Sequence, residues 1–226
     1  MSPISVEQRY RWLYKPLVHI ACLAPLLLAV GGVLHASGIG TVPAWLAADL
    51  GVDPVRRLLG IAGKTTLNLL LVTLAVTPLR QLTGNAHLLR LRRTLGVYAF
   101  AYALLHFAVY VGLFQAFDWH EIVKDLYKRW YIVLGFTALL MLIPLAVTST
   151  NAMMRRLKRR WFALHRLVYA IAFLGVCHYW IQTKKDLSQP EIYASLLTLL
   201  LGWRLWRHWR SHRRAGLPQL REEAQP

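Results

Sequence analysis

The stretch "RRWFALHRLVYAIAFLGVCHYW" occupies Arg159–Trp180. Beyond its basic start it is almost wholly apolar, and it has the length of a bilayer-crossing helix, which takes about 20 such residues. Yet it carries two imidazoles, His165 and His178. A polar ring at membrane depth is costly, and it faces the interior of a helix bundle rather than lipid. The stretch therefore predicts a spanning helix packed among others, with a use for each histidine.

Five more segments read as spans: Leu17–Leu34, Thr65–Leu79, Thr94–Phe117, Trp130–Val147 and Ile192–Trp209. The second is short unless it extends through Ile61 and Lys64. The sixth ends in the amphipathic run "WRLWRHWR" and leaves the bilayer there. The fold expected is all-α, a polytopic bundle of six transmembrane helices over residues 16–209. An N-terminal segment, 1–15, precedes it and a basic tail, 210–226, follows. Composition agrees: 56% of residues are hydrophobic and only 16% charged, too few to coat a soluble surface. The net charge of +17 invites a nucleic-acid reading. The Lys and Arg residues lie between apolar runs rather than on a soluble face, so that reading is set aside.

Charge placement orients the bundle. Eighteen Lys and Arg fall before span one, between spans two and three, between spans four and five, and in the tail. Eight fall on the other side: Arg56, Arg57, Lys64, Lys124, Lys128, Arg129, Lys184 and Lys185. The richer side is cytoplasmic, which places both termini inside. Span one has a long apolar core and no A-x-A site after it, so it reads as an anchor rather than a cleaved leader.

Cys22 and Cys177 sit in apolar segments and make neither a disulfide framework nor a zinc site. "AGKTT" at 62–66 resembles the end of a phosphate-binding loop, but position 58 is Leu where that motif needs Gly. No G-x-G-x-x-G occurs, so no dinucleotide-binding domain is expected.

Of nine histidines, His35, His87, His120, His208 and His212 fall in loops, at span ends or in the tail and read as interfacial. His106, in "AYALLHFAVY", lies mid-span. Two readings stand for it: an interhelical hydrogen bond, or an axial ligand to haem iron held between facing helices. His165 and His178 are roughly 20 Å apart along a helix axis and about 140° apart around it. One straight helix does not aim both at the same neighbour. A tilt, a local bulge or separate partners must absorb the difference.

Four elements, taken together and in order, carry a resemblance: "GKTTLNLLLVTLAVTPLR" (63–80), "RRTLGVYAFAYALLHFAVY" (92–110), "PLAVTSTNAM" (144–153) and the opening stretch. They resemble the MsrQ (YedZ) family, haem-binding membrane subunits of bacterial periplasmic methionine sulfoxide reductase systems. That family sits within the wider ferric-reductase-like membrane domains. The resemblance runs from the first span to the sixth. It implies a multi-pass protein of the bacterial inner membrane that passes electrons from the quinol pool through haem b to a periplasmic molybdenum-containing reductase, which itself repairs methionine sulfoxide. It also implies FMN as a cofactor.

In the wider group, histidines on spans three and five ligate b haems stacked across the membrane. The outer pair carries over as His106 with His178. The inner pair would use His165, but its third-span partner position holds Arg92. His19, at similar depth in span one, is then the candidate partner for a second haem. Arg92 and Arg93 are candidates to hold propionates or a flavin phosphate. Other readings are a haem-dependent ferric or flavin-linked transmembrane reductase, and a haem-free transporter or scaffold.

Overall fold

The computed structural model describes residues 14–39, 41–184 and 186–215. Most of the expected N-terminal segment, with Arg9 and Arg11, lies outside them. So do Lys185 and the tail from 216 on, with Arg221. The described chain is helical. It comprises α1 (Lys15–Ala36), α2 (Pro54–Thr83), α3 (Leu88–Val109) continued by a π-helical turn (Tyr110–Phe114), α4 (Trp119–Lys128), α5 (Trp130–Val147), α6 (Asn151–Leu157), α7 (Arg159–His165), α8 (Leu167–Gln182) and α9 (Ser188–Ala215).

Local chemistry sets the boundaries. Asp53 caps α2, accepting from the Arg56 amide at 3.0 Å, and Pro54 fits the first turn, where no donor is needed. Gly84, at φ 69°, ends α2 in the left-handed conformation. Asp118 caps α4 and Thr150 caps α6. After the π turn, Ala116 and Phe117 both take positive φ as the chain turns toward α4.

Five helices are long and apolar enough to cross a membrane: α1, α2, α3 with its π turn, α5, and α7 with α8. Three expectations change. Span two is a helix of 30 residues rather than 15, because its cap lies upstream at Asp53. Span five is broken after His165, where Arg166 separates α7 from α8. The expected sixth span is the 28-residue α9, which is absent from the apolar set. Glu191, Arg204 and Arg207 dilute its leucines, and it continues as helix past the expected domain boundary to Ala215.

α2 packs along α3 and α5 along α8, and these two pairs make the most extensive contacts in the bundle. α3 meets α5, α2 meets α8, α1 lies on α2 and α3, and α9 lies on α8 and α2. The core runs through Leu67, Leu70, Leu74, Ala99, Tyr102, Leu142, Ile171 and Ala172. Leu17, Ile20 and Leu27 of α1 are apolar yet more than half exposed. Such a belt has lipid as its solvent, so the chain is a multi-pass membrane protein.

Candidate functional site

His106 projects from α3 and His178 from α8, and their rings meet between the two helix pairs. The centroids are 6.2 Å apart and the planes stand at 89°. His106 Nδ1 lies 3.0 Å from the carbonyl of Leu59 on α2. His178 Nδ1 lies 2.5 Å from the carbonyl of Tyr131 on α5. A carbonyl only accepts, so each Nδ1 carries the proton. Each neutral ring then keeps its lone pair on Nε2. That is the form in which imidazole binds a metal, with the ring oriented from behind.

The spacing passes a second test. Two imidazoles holding one metal atom from opposite sides, with bonds of about 2 Å, have centroids roughly 6 Å apart. Among the described residues no cluster of three or more His, Cys, Asp or Glu makes a cage for a bare ion. Two opposed imidazoles suit an iron whose other ligands come from a macrocycle.

His165 forms a separate locus, as its depth in the sequence requires. It closes α7, stacks on Trp161 with centroids 3.8 Å apart, and places Nδ1 3.1 Å from the Trp161 carbonyl. Its Nε2 is buried and has no hydrogen-bond partner. Arg92 interacts electrostatically with it. At Arg166 the hydrogen-bond ladder tightens locally, with the Arg166 amide on the Ala163 carbonyl and the Tyr169 amide on the Arg166 carbonyl, while Arg159–Gln182 still runs as one span. His165 and His178 meet different neighbours, which answers the angular objection raised by the sequence.

His19 places its Nδ1 2.8 Å from the Tyr98 hydroxyl of α3. Arg93 is exposed and bonds the Asn151 side chain. Of the residues expected near His165, Arg92 acts on it electrostatically. Sequence reasoning missed Arg204. It counted as a tail charge, but from α9 it donates to the Leu74 carbonyl at 2.8 Å and lies 4.8 Å over the Tyr169 ring. Its Nε and Nη1 are buried without partners, and Arg92 acts on it too. The signal was "WRLWRHWR", whose periodicity marks a two-faced helix without saying which arginine turns inward. Lys64 lies 5.9 Å over the Tyr179 ring.

Residues 59–176 match the ferric reductase like transmembrane component family, a segment that begins at the Leu59 carbonyl and contains His106 and His165. A protein of Xanthomonas campestris pv. campestris (strain 8004) is 47% identical over 199 residues, 88% of both chains. It is named protein-methionine-sulfoxide reductase heme-binding subunit MsrQ. The chain belongs to the MsrQ family. MsrQ of Xanthomonas axonopodis pv. citri is 47% identical over 195 residues, 85% of this chain and 86% of its own. MsrQ of Rhodospirillum rubrum is 48% identical over 189 residues, 83% and 85% of the respective chains. No solved structure matches. The MsrQ relatives match most of the chain, 199 of its 226 residues in the first case, more than the broader family match covers.

Proposed function

We propose that this chain is a transmembrane electron conduit: it takes electrons from quinol and delivers them outside to a molybdenum-containing methionine sulfoxide reductase. The observation that carries the reading is the pair His106 and His178, each with Nδ1 on a backbone carbonyl and rings at iron-bridging separation. Haem b, when bound there, supplies reversible one-electron chemistry. The chain's own part is to hold two neutral imidazoles in fixed orientation, to exclude water with α2, α3, α5 and α8, and to satisfy the outer edge of each ring.

The His165 locus holds the second cofactor. The buried Nε2 of His165 and two buried nitrogens of the Arg204 guanidinium lack partners, Arg92 acts on both residues, and an anion would meet this positive charge. Haem propionates and the phosphate of FMN share that chemistry. The basic loops face the cytoplasm, as do both termini, and α9 crosses as the sixth span. His178 then lies toward the outer face, reached through Tyr131 from α4.

Stopped-flow absorbance on reconstituted protein tests the route. Reduced quinone alone, without NAD(P)H, reduces the haem, and the periplasmic reductase with methionine sulfoxide reoxidises it. Haem that stays oxidised with quinol yet is reduced by a separate flavin reductase rejects the quinol step. Haem that is reduced and never reoxidised by the partner rejects delivery.

A further inference from the structure

Behind each of the two opposed imidazoles stands a glycine. A Cβ built on Gly63 of α2 would lie 3.1 Å from both Cε1 and Nδ1 of His106. A Cβ built on Gly135 of α5 would lie 2.7 Å from Nδ1 and 2.9 Å from Cε1 of His178. In both cases the threatened edge is the one that carries the Nδ1 proton. In both, the accepting carbonyl belongs to the residue four before the glycine, Leu59 and Tyr131. An α-helix assigns that carbonyl to the glycine's own amide. The missing side chain therefore lets the ring lie against the helix groove and reach a carbonyl already in the ladder. That carbonyl's second lone pair is still available.

The two arrangements share one register. Tyr131 follows Leu59, Gly135 follows Gly63 and His178 follows His106 by the same 72 residues. Each donor and acceptor are 47 positions apart in the chain. The two helix pairs that pack most extensively, α2 with α3 and α5 with α8, are the two that carry it.

We propose that Gly63 and Gly135 are positioning residues in two copies of one module, in which a helix groove and its carbonyl set the plane and protonation of the ligand imidazole. The proposal rests on the haem reading above. It explains why the rings stand perpendicular: each plane is set by its own groove, on separate helices, rather than by contact between the rings. Because Nδ1–H···O=C makes Nε2 a stronger donor, the module also favours oxidised iron and lowers the haem's potential.

The test uses the purified full-length protein, loaded with haem. Gly135→Ala and Gly63→Ala are compared with Gly60→Ala and Gly202→Ala, where a Cβ meets nothing within 4 Å. Readouts are haem retention against an apoprotein scavenger, the electron paramagnetic resonance of the ferric low-spin centre, and midpoint potential. Near-perpendicular imidazole planes leave the iron dxz and dyz orbitals almost degenerate, so the wild type gives a highly anisotropic signal. Gly135→Ala weakens haem binding about 10–100-fold, the usual cost of losing an outer-shell partner. It also turns the signal less anisotropic and raises the potential. Gly63→Ala moves the same readouts less, because its contact is softer, and it decides the matter if Gly135→Ala fails to insert. The two control variants match the wild type. Wild-type spectra and potential in both Gly63→Ala and Gly135→Ala overturn the module while leaving the haem reading intact. A wild-type chain that binds no haem overturns the reading beneath it.

Discussion

At His165, burial and chemistry disagree. Its Nε2 is enclosed without a hydrogen-bond partner, as are two guanidinium nitrogens of Arg204 on α9. An unsatisfied buried polar atom costs about 1–3 kcal/mol, a penalty that a ligand bound there would relieve. His165→Ala should therefore remove a cofactor component distinct from the one lost in His178→Ala, read as a second wave in a redox titration. Arg204→Gln should weaken that same component and leave the His106–His178 signal unchanged. Optical titration of both variants checks this, and loss of the low-spin pair in Arg204→Gln would place the arginine elsewhere. His106 and His178 stood out in the sequence as imidazoles at membrane depth, but their pairing came from the family resemblance, since depth and helical angle left the partner open. Arg204 was not legible, because helical periodicity divides a helix into faces without naming which face turns inward. Nor were the glycines behind the rings, which lie 43 positions from the histidines they face, a distance no local pattern encodes.

Among the elements, α1 and the segment after it are joined by close backbone approach. A Cβ on Gly31 would strike the Leu46 carbonyl, and one on Gly32 would lie 2.7 Å from the Ala48 carbonyl. Backbone gives way less readily than a side-chain tip, so Gly31→Ala should loosen residues 41–50 from α1. Faster hydrogen exchange confined to that segment is the expected result. On the opposite flank, α4 is pinned by Asp125, which is buried and accepts from Tyr110 Oη at 2.9 Å, Gln115 Nε2 at 2.7 Å and Arg129 Nε at 3.1 Å. Asp125→Ala strands those donors and should cost about 1–3 kcal/mol, measured by thermal unfolding in detergent. The start of α2 carries a pH signature. The Arg56 amide, and then its guanidinium, hold the Asp53 carboxyl below its ordinary 3.8. The cap's contribution is thus full above that value and fades as pH falls through the lowered one. Exchange protection of the first turn of α2 should stay constant from neutral pH to about 4 and drop only in stronger acid. Span positions were readable from apolar runs, while the break at Arg166 was not, since apolar residues continue across it. The reach of α2 back to Pro54 was missed because Arg56, Arg57 and Lys64 interrupt its hydropathy.

Across the whole molecule, two helix pairs present one imidazole each to a shared gap, and a third imidazole, His165, lies at a separate locus under the charge of Arg92. On the proposed reading that layout is a relay with two stations, sided by the basic loops. A reporter fused after Asp186 should be active outside, and reporters at both termini inside; the reverse pattern would invert the electron path. The central claim is that His106 and His178 grip the same iron. It is tested most directly by reduced-minus-oxidised spectroscopy with haem quantitation on the wild type, His106→Ala and His178→Ala, each purified whole. The account predicts that either substitution removes the same low-spin b-type component, with matching loss of haem per chain, because axial imidazoles hold the iron from both sides. A full low-spin spectrum in either variant would contradict it.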